Sequence, residues 1–529
     1  MKKLLSHITK YIQWFSKYSL TVFFCASIIP LGVVLIAYSF SNSSNPTTIK
    51  DNSITTENLN VLKDLTTKNL SVTGEVSGIP ISESLGSYSA IVYKEGNKIF
   101  AKKRDGSLIA EGVAGRNDAR VINRAITYVN GQLSNGFERG IIFGNGLTYN
   151  LDDTIILKTG VILKDFYFYL KDGINKDVIK TENFDSLTGT DTPCSNHSVP
   201  HSFGLIDVCI RGNRDNNSSG SGVKIYGYGF VLDRVSVKMC PEHGLWIEGG
   251  ANWGDGYSIP AENWIGSVFT SYNGKCGIVH KGPNDTVYNY IITHGNGRTT
   301  GAGTPGSTPA HGMYITGKRG VCDIKYIHSY GNNGDGVHVD GGHINAVYIE
   351  TESNQGKGLV LKGHWFHTVD HLFAYDNRDV ALYVTGLQYG SINFALIKNN
   401  RGSGNTVYIK ASKFFSNIIC YNNSGTDLCN FNQLNFSKIN LVLLGNKNTG
   451  KAVVLGTTGN KISSNIIDIQ ASLTNTNGRL MEIHSNGRNI IKVRGSTYNA
   501  TKDWDDSTYP PHPTDTIDYK TNNKTYTMP

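Results

Sequence analysis

The chain has 529 residues, of which 17% are charged, 59 are Gly, and the formal net charge is +8. Low charge with abundant Gly fits turn-rich β structure better than a mainly helical protein. Lys2, Lys3, Lys10 and Lys17 supply half of that net charge, so the remainder gives no footing for nucleic-acid binding.

Residues 1–18 are a basic segment without an acidic residue. Residues 19–40 carry no charge at all, and about 20 apolar residues span a bilayer. With lysines only on the N-terminal side, that side is expected in the cytoplasm and everything after residue 41 outside, on a cell or virion surface. A cleaved signal peptide has a shorter apolar core of about 7–15 residues and a small-residue cleavage site. The run here ends in Tyr38-Ser-Phe40, so an uncleaved transmembrane helix is expected. Residues 41–86 space Ile54, Leu59, Val61, Leu65, Leu70, Val72 and Val76 among polar residues. They read as a linker, or as a stalk resembling those of viral fibre proteins that gains its core as a homotrimer. Of eight Cys, none forms a CxxC pair, so no structural zinc is expected, while an outside location permits disulfides.

Residues 87–135 hold a hairpin about Glu95-Gly96-Asn97 and then a helix. Ala119, Ile122, Ala125, Ile126 and Val129 recur at helical spacing, with Asn117 or Asp118 as N-cap. Short strands fill residues 136–497. Within them one phrase returns: Gly222-Val-Lys-Ile, Gly244-Leu-Trp-Ile, Gly277-Ile-Val-His, Gly312-Met-Tyr-Ile, Gly336-Val-His-Val, Gly358-Leu-Val-Leu, Ala381-Leu-Tyr-Val and Thr406-Val-Tyr-Ile. The starts are 22, 33, 35, 24, 22, 23 and 25 residues apart. Propeller blades need roughly 40 residues, so a period just above 20 means stacked coils. A second column agrees: Asn273, Asn296, Asn332, Asn354, Asn377 and Asn400 each follow a short apolar strand. An Asn at one coil position can hydrogen-bond along the stack. Small residues precede it, namely Thr270, Thr293, Ser329, Thr351 and Ala374. The expected fold is all-β, a single-stranded parallel β-helix. Residues 498–529, rich in Pro and Thr, are expected as a C-terminal cap or tail.

The order Asn117-Asp118-Ala-Arg-Val-Ile-Asn-Arg-Ala125-Ile126, then Ile141-Ile-Phe-Gly144, Leu147-Thr-Tyr149 and Thr154-Ile-Ile-Leu-Lys-Thr-Gly160-Val-Ile-Leu163 resembles the opening of pectate-lyase-superfamily right-handed β-helices. The resemblance implies a helix capping the first coil. It also implies a carbohydrate-directed protein in a fold that hosts lyases, hydrolases, epimerases and inactive viral spikes.

The register places side chains. In Gly-x-y-z-w, x and z point inward while y and w point outward. One outward face then gathers His311, Tyr314, Asp335, His338 and Asp340, with Lys281, Trp246 and Glu248 a few coils away. The two long intervals add loops beside this face, the first carrying Trp253, Tyr257 and Trp264 and the second Arg298. Aromatics stack on sugar rings and His or carboxylates move protons. Trp246, Glu248, Trp253, Tyr257, Trp264 and Tyr314 are therefore the expected polysaccharide contacts. A hydrolase would use Asp335 with Asp340, helped by His311 and His338. A lyase would use Lys281 or His338 as base, and only then would Ca²⁺ enter as cofactor; otherwise neither metal nor cofactor is expected. An adhesin or viral spike without catalysis is the alternative. A second outward face gathers His294, His328, Tyr330, Glu350, Glu352 and Tyr375.

Overall fold

The computed structural model describes residues 88–134, 138–190, 198–249, 262–283, 285–298, 310–317, 321–363, 366–402, 404–457, 460–473, 480–497, 515–521 and 525–528. The run 19–40 and the segment 41–86 lie outside these residues. Among the described residues no helix is long and apolar enough to cross a membrane.

The Gly phrases become strands of one all-parallel, 13-stranded sheet that runs from Ile155–Leu157 to Met481–Ile483. Val223, Leu245, Ile278, Met313, Val337, Leu359, Leu382 and Val407 stand in one register. Longer strands, such as His343–Glu352 and Phe366–Tyr375, form a second sheet, also parallel through the stack. The chain visits each sheet once per coil, giving a parallel β-solenoid of about 13 turns. The inward residues fuse into a single apolar core from Ala90 to Ile517.

Close approach between coils explains the Gly that opens each phrase. A Cβ on Gly312 would stand 2.1 Å from Ser329 Oγ and 2.6 Å from Gly336 O. The small residues Thr270, Thr293, Ser329, Thr351 and Ala374 are fully buried in the same layer.

The asparagines form a buried ladder that continues past Asn400 to Asn423 and Asn446. Asn354 shows the repeat unit. Its Nδ2 donates to Asn377 Oδ1 at 2.9 Å and to Ser329 O at 2.9 Å. Its Oδ1 accepts from the backbone N and the Nδ2 of Asn332, both at 3.0 Å. The left-handed turn falls one residue earlier than the Asn itself, on Tyr272, Ser353, Asp376 and Asn399, or on Gly295 and Gly331. The Asn satisfies the corner that its neighbour makes.

Both ends of the stack are closed. Three antiparallel strands, Ala90–Glu95, Lys98–Lys103 and Leu108–Val113, precede the helix Asp118–Asn130. The third strand was not foreseen from the hairpin pattern. Asp118 is fully buried and does not cap its helix. It accepts from Gly115 N at 2.7 Å and Asn150 N at 2.8 Å and pairs with Lys94 at 2.7 Å. Asn123 donates to Thr154 O and accepts from Ile156 N, each at 2.9 Å, so the helix satisfies the exposed edge of the first coil. At the other end Thr516–Thr521 adds one more parallel strand, and Thr525–Met528 folds back antiparallel over it. The Pro-rich stretch between, 498–514, lies outside the described residues.

Candidate functional site

The outward column of the short-strand sheet reads Lys224, Trp246, Val279, Tyr314, His338, Val360, Tyr383 and Tyr408 in register. Adjacent members are about 4.8 Å apart. Val279 and Val360 are 2% and 0% exposed, flanked by Trp246 with Tyr314 and by His338 with Tyr383. The larger side chains therefore make the outer surface.

The chemistry concentrates where three successive coils place His311, Asp335 and Lys357 just before their Gly. His338 Nδ1 lies 2.7 Å from Asp335 Oδ2. Asp335 Oδ1 accepts from Lys357 N at 2.7 Å. His311 Nδ1 accepts from Asp335 N at 3.0 Å. The rings of His311 and His338 are 4.6 Å apart, and Tyr314 meets His338 edge-on at 5.4 Å. Burial pushes the Asp335 carboxyl up, but the His338 hydrogen bond, His311 and the Lys357 N–H outweigh it and hold the group below its ordinary value. Asp335 is thus an ionised acceptor. Burial pushes His311 down to about 4, more than Asp335 raises it, so this imidazole is neutral.

The contacts settle which ring atoms are in use. An ionised Asp335 takes the Nδ1–H of His338, which leaves Nε2 as the lone-pair nitrogen. That Nε2 is 4.0 Å from Asp340 Oδ2, on a half-exposed carboxylate that also pairs with Lys362 at 3.7 Å. The imidazole stands between Asp335 and Asp340, so the two acids do not face each other across a gap open to a sugar. His311, Asp335 and His338 could gather around a metal ion. Yet the His311 Nδ1 lone pair accepts from Asp335 N, and the His338 Nδ1–H donates to Asp335 Oδ2, which leaves only the His338 Nε2 lone pair free between the two rings, so this donor set fits a metal poorly.

The other expected residues divide by location. Lys281 Nζ sits 4.4 Å over the Trp246 ring. Glu248 is buried, accepting from Thr188 Oγ1 at 2.9 Å, Gly189 N at 2.5 Å and Trp246 Nε1 at 3.0 Å. It holds Trp246 in place rather than meeting solvent. Trp264 is half-exposed on the long-strand sheet, in register with Val231 and Val287, and so is not brought to the face of Trp246 and Tyr314. Trp253 and Tyr257 lie outside the described residues. Sequence reasoning missed the clamp by Lys357 N, although Lys357 precedes Gly358 as Asp335 precedes Gly336. It also missed Thr188 and Gly189, which belong to a segment with no repeat.

No protein-family model and no curated protein matches this chain. Among solved structures, the A-module of the mannuronan C-5 epimerase AlgE6 of Azotobacter vinelandii is similar at 13% identity and a TM-score of 0.39, covering 76% of this chain and 94% of that one. The AlgE4 A-module gives 14%, 0.39, 75% and 95%. The pre-mature gene product 12 of bacteriophage phi29 gives 13%, 0.38, 77% and 65%. Likeness at this level carries no argument about the chemistry of this chain.

Proposed function

We propose that this chain binds an acidic polysaccharide along the outward column from Lys224 to Tyr408 and cleaves it by β-elimination, with His338 as base. The hydrogen bond between His338 and the buried, ionised Asp335 carries this reading. A carboxylate that holds Nδ1–H fixes the ring orientation and leaves Nε2 as the proton acceptor. Lys224, Lys281 and Lys362 alternate with Trp246, Tyr314 and Tyr383 along the face, a pattern suited to anionic sugars. Nε2 takes the proton from the carbon beside the uronate carboxyl. The freed electron pair forms the carbon–carbon double bond, the bond to the leaving sugar oxygen breaks, and that oxygen takes a proton, with Tyr314, whose ring lies 5.4 Å from that of His338, as the candidate donor. A hydrolase is less well supported, because Asp335 and Asp340 flank one imidazole instead of one substrate bond.

The uncharged run 19–40 behind four lysines supports anchoring in a membrane with the solenoid displayed outside. The order of capping helix and first coil supports the right-handed form.

The test is incubation of the full-length chain with uronate-containing and neutral polysaccharides, scoring both binding and unsaturated products. Uronate polymers are expected to bind and to yield unsaturated ends. Binding with no product from any bound glycan would leave an adhesin or spike and remove the enzyme.

A further inference from the structure

The long-strand sheet carries a second cluster that the proposed reaction does not use. His328 and Glu350 stand opposite each other in register on adjacent strands, and so do Tyr330 and Glu352. Positions 328, 330, 350 and 352 alternate outward, so one imidazole and two carboxylates share a patch. His328 Nε2 is itself buried, makes no hydrogen bond and lies 3.4 Å from Glu352 Oε2. Tyr330 stacks on His328 at 4.6 Å and His294 on Tyr330 at 4.2 Å, which fixes the imidazole plane. Tyr326 donates to Glu350 Oε2 at 3.3 Å and fixes that carboxylate.

Some surface acids, such as Asp153, Asp177, Glu242 and Asp379, pair with a lysine within 3.0 Å. Among the described residues neither Glu350 nor Glu352 pairs with Lys or Arg. Two carboxylates two residues apart on one face of a strand repel, and a cation between them removes that cost.

We propose that His328, Glu350 and Glu352 bind a divalent transition cation of the zinc or manganese type. One donor atom from each of the three lies within 4.8 Å of the others. Ligands at about 2.1 Å from one tetrahedral ion stand about 3.4 Å apart, so side-chain movement of up to about 1.4 Å closes the set. An imidazole nitrogen with two carboxylates suits zinc or manganese; calcium takes six to eight oxygens. The ion would leave coordination positions open on the outer side, next to the Tyr326 and Tyr348 rings, which stack at 5.1 Å. In contrast to the His338 cluster, the His328 Nε2 here is not engaged by a backbone N–H.

The full-length chain is dialysed against micromolar ZnCl₂ and, separately, MnCl₂, and bound metal is counted for wild type, His328→Ala, Glu350→Gln and His338→Ala. One equivalent is expected in wild type and in His338→Ala. In His328→Ala and Glu350→Gln the affinity should drop by more than the roughly 10–100-fold that loss of an outer-shell partner costs. Glu350→Gln keeps shape and removes only charge, so its result does not depend on the fold tolerating a cavity. No bound metal in wild type overturns the proposal. So does an equivalent lost in His338→Ala and kept in His328→Ala, which would assign the ion to the other face.

Discussion

The asparagine ladder and the outward column through Tyr314 and His338 are products of one stack, yet they use polar groups in opposite ways. In the ladder each Asn meets a copy of itself in the next coil. Asn332, Asn354 and Asn377 donate and accept identically and are fully buried. Repetition closes the hydrogen-bond account, and the ladder is structural. In the outward column every coil differs: Trp246, Val279, Tyr314, His338, Val360. Tyr383 and Tyr408 stack at 4.9 Å near one end, but His338 lies between Tyr314 and Val360, so its partners come from elsewhere, from Asp335 and through it Lys357. In a stacked repeat, sameness along the axis marks support, and departure from sameness marks chemistry.

The largest effect tests the ladder. Asn354→Ala takes the acceptor from the Asn332 backbone N–H and one partner each from Asn332 Nδ2, Asn377 Oδ1 and Ser329 O in a dry interior. The orphaned N–H costs about 1–3 kcal/mol and each of the other lost bonds about 0.5–1.5 kcal/mol, so urea unfolding should show a loss above about 2 kcal/mol. A loss below about 1 kcal/mol would mean that the ladder does not support the coil.

Gly312→Ala comes next. The new Cβ would meet Ser329 Oγ at 2.1 Å and Thr293 Oγ1 at 2.4 Å, and overpacking of that kind costs about 1–3 kcal/mol. Gly404→Ala is the control, because nothing lies within 4 Å of its Cβ. Equal unfolding midpoints for the two variants would contradict the close-approach account of the Gly phrases.

The third prediction contrasts asparagines, which do not titrate, with buried histidines, which do. Burial pushes His243 down to about 3 and His280, His311 and His367 down to about 4. Unfolded His titrates near 6.5. Between about pH 6.5 and pH 4 the unfolded chain takes up protons that the folded chain refuses, so stability falls as pH falls through that window. Urea midpoints should be lower at pH 4.5 than at pH 7. An unchanged midpoint would show that these rings are already charged in the fold.

Much of the fold was legible because its causes are local and repeated. A Gly is required wherever two coils approach closely, and an Asn wherever a corner must be satisfied, so both leave periodic marks. The outward column was legible from the same register, which brought His311, Asp335 and His338 together. The role of Glu248 was not. It is covered by Thr188 and Gly189, whose segment has no period and touches the stack only in space. Trp264 was misleading for a related reason: it follows a long insertion but begins a strand of the other sheet. The Asp335–Lys357 contact uses a backbone N–H, and side-chain identity says nothing about where that donor points.

The proposed base of the β-elimination is His338, held by Asp335. The direct measurement is the rate of unsaturated-product formation from a bound uronate polysaccharide by wild type, His338→Ala and His328→Ala. General-base catalysis contributes about 10²–10⁴-fold, so His338→Ala should lose at least about a hundredfold in rate with polysaccharide binding retained, while His328→Ala should keep the wild-type rate. A His338→Ala variant as fast as wild type would contradict the account.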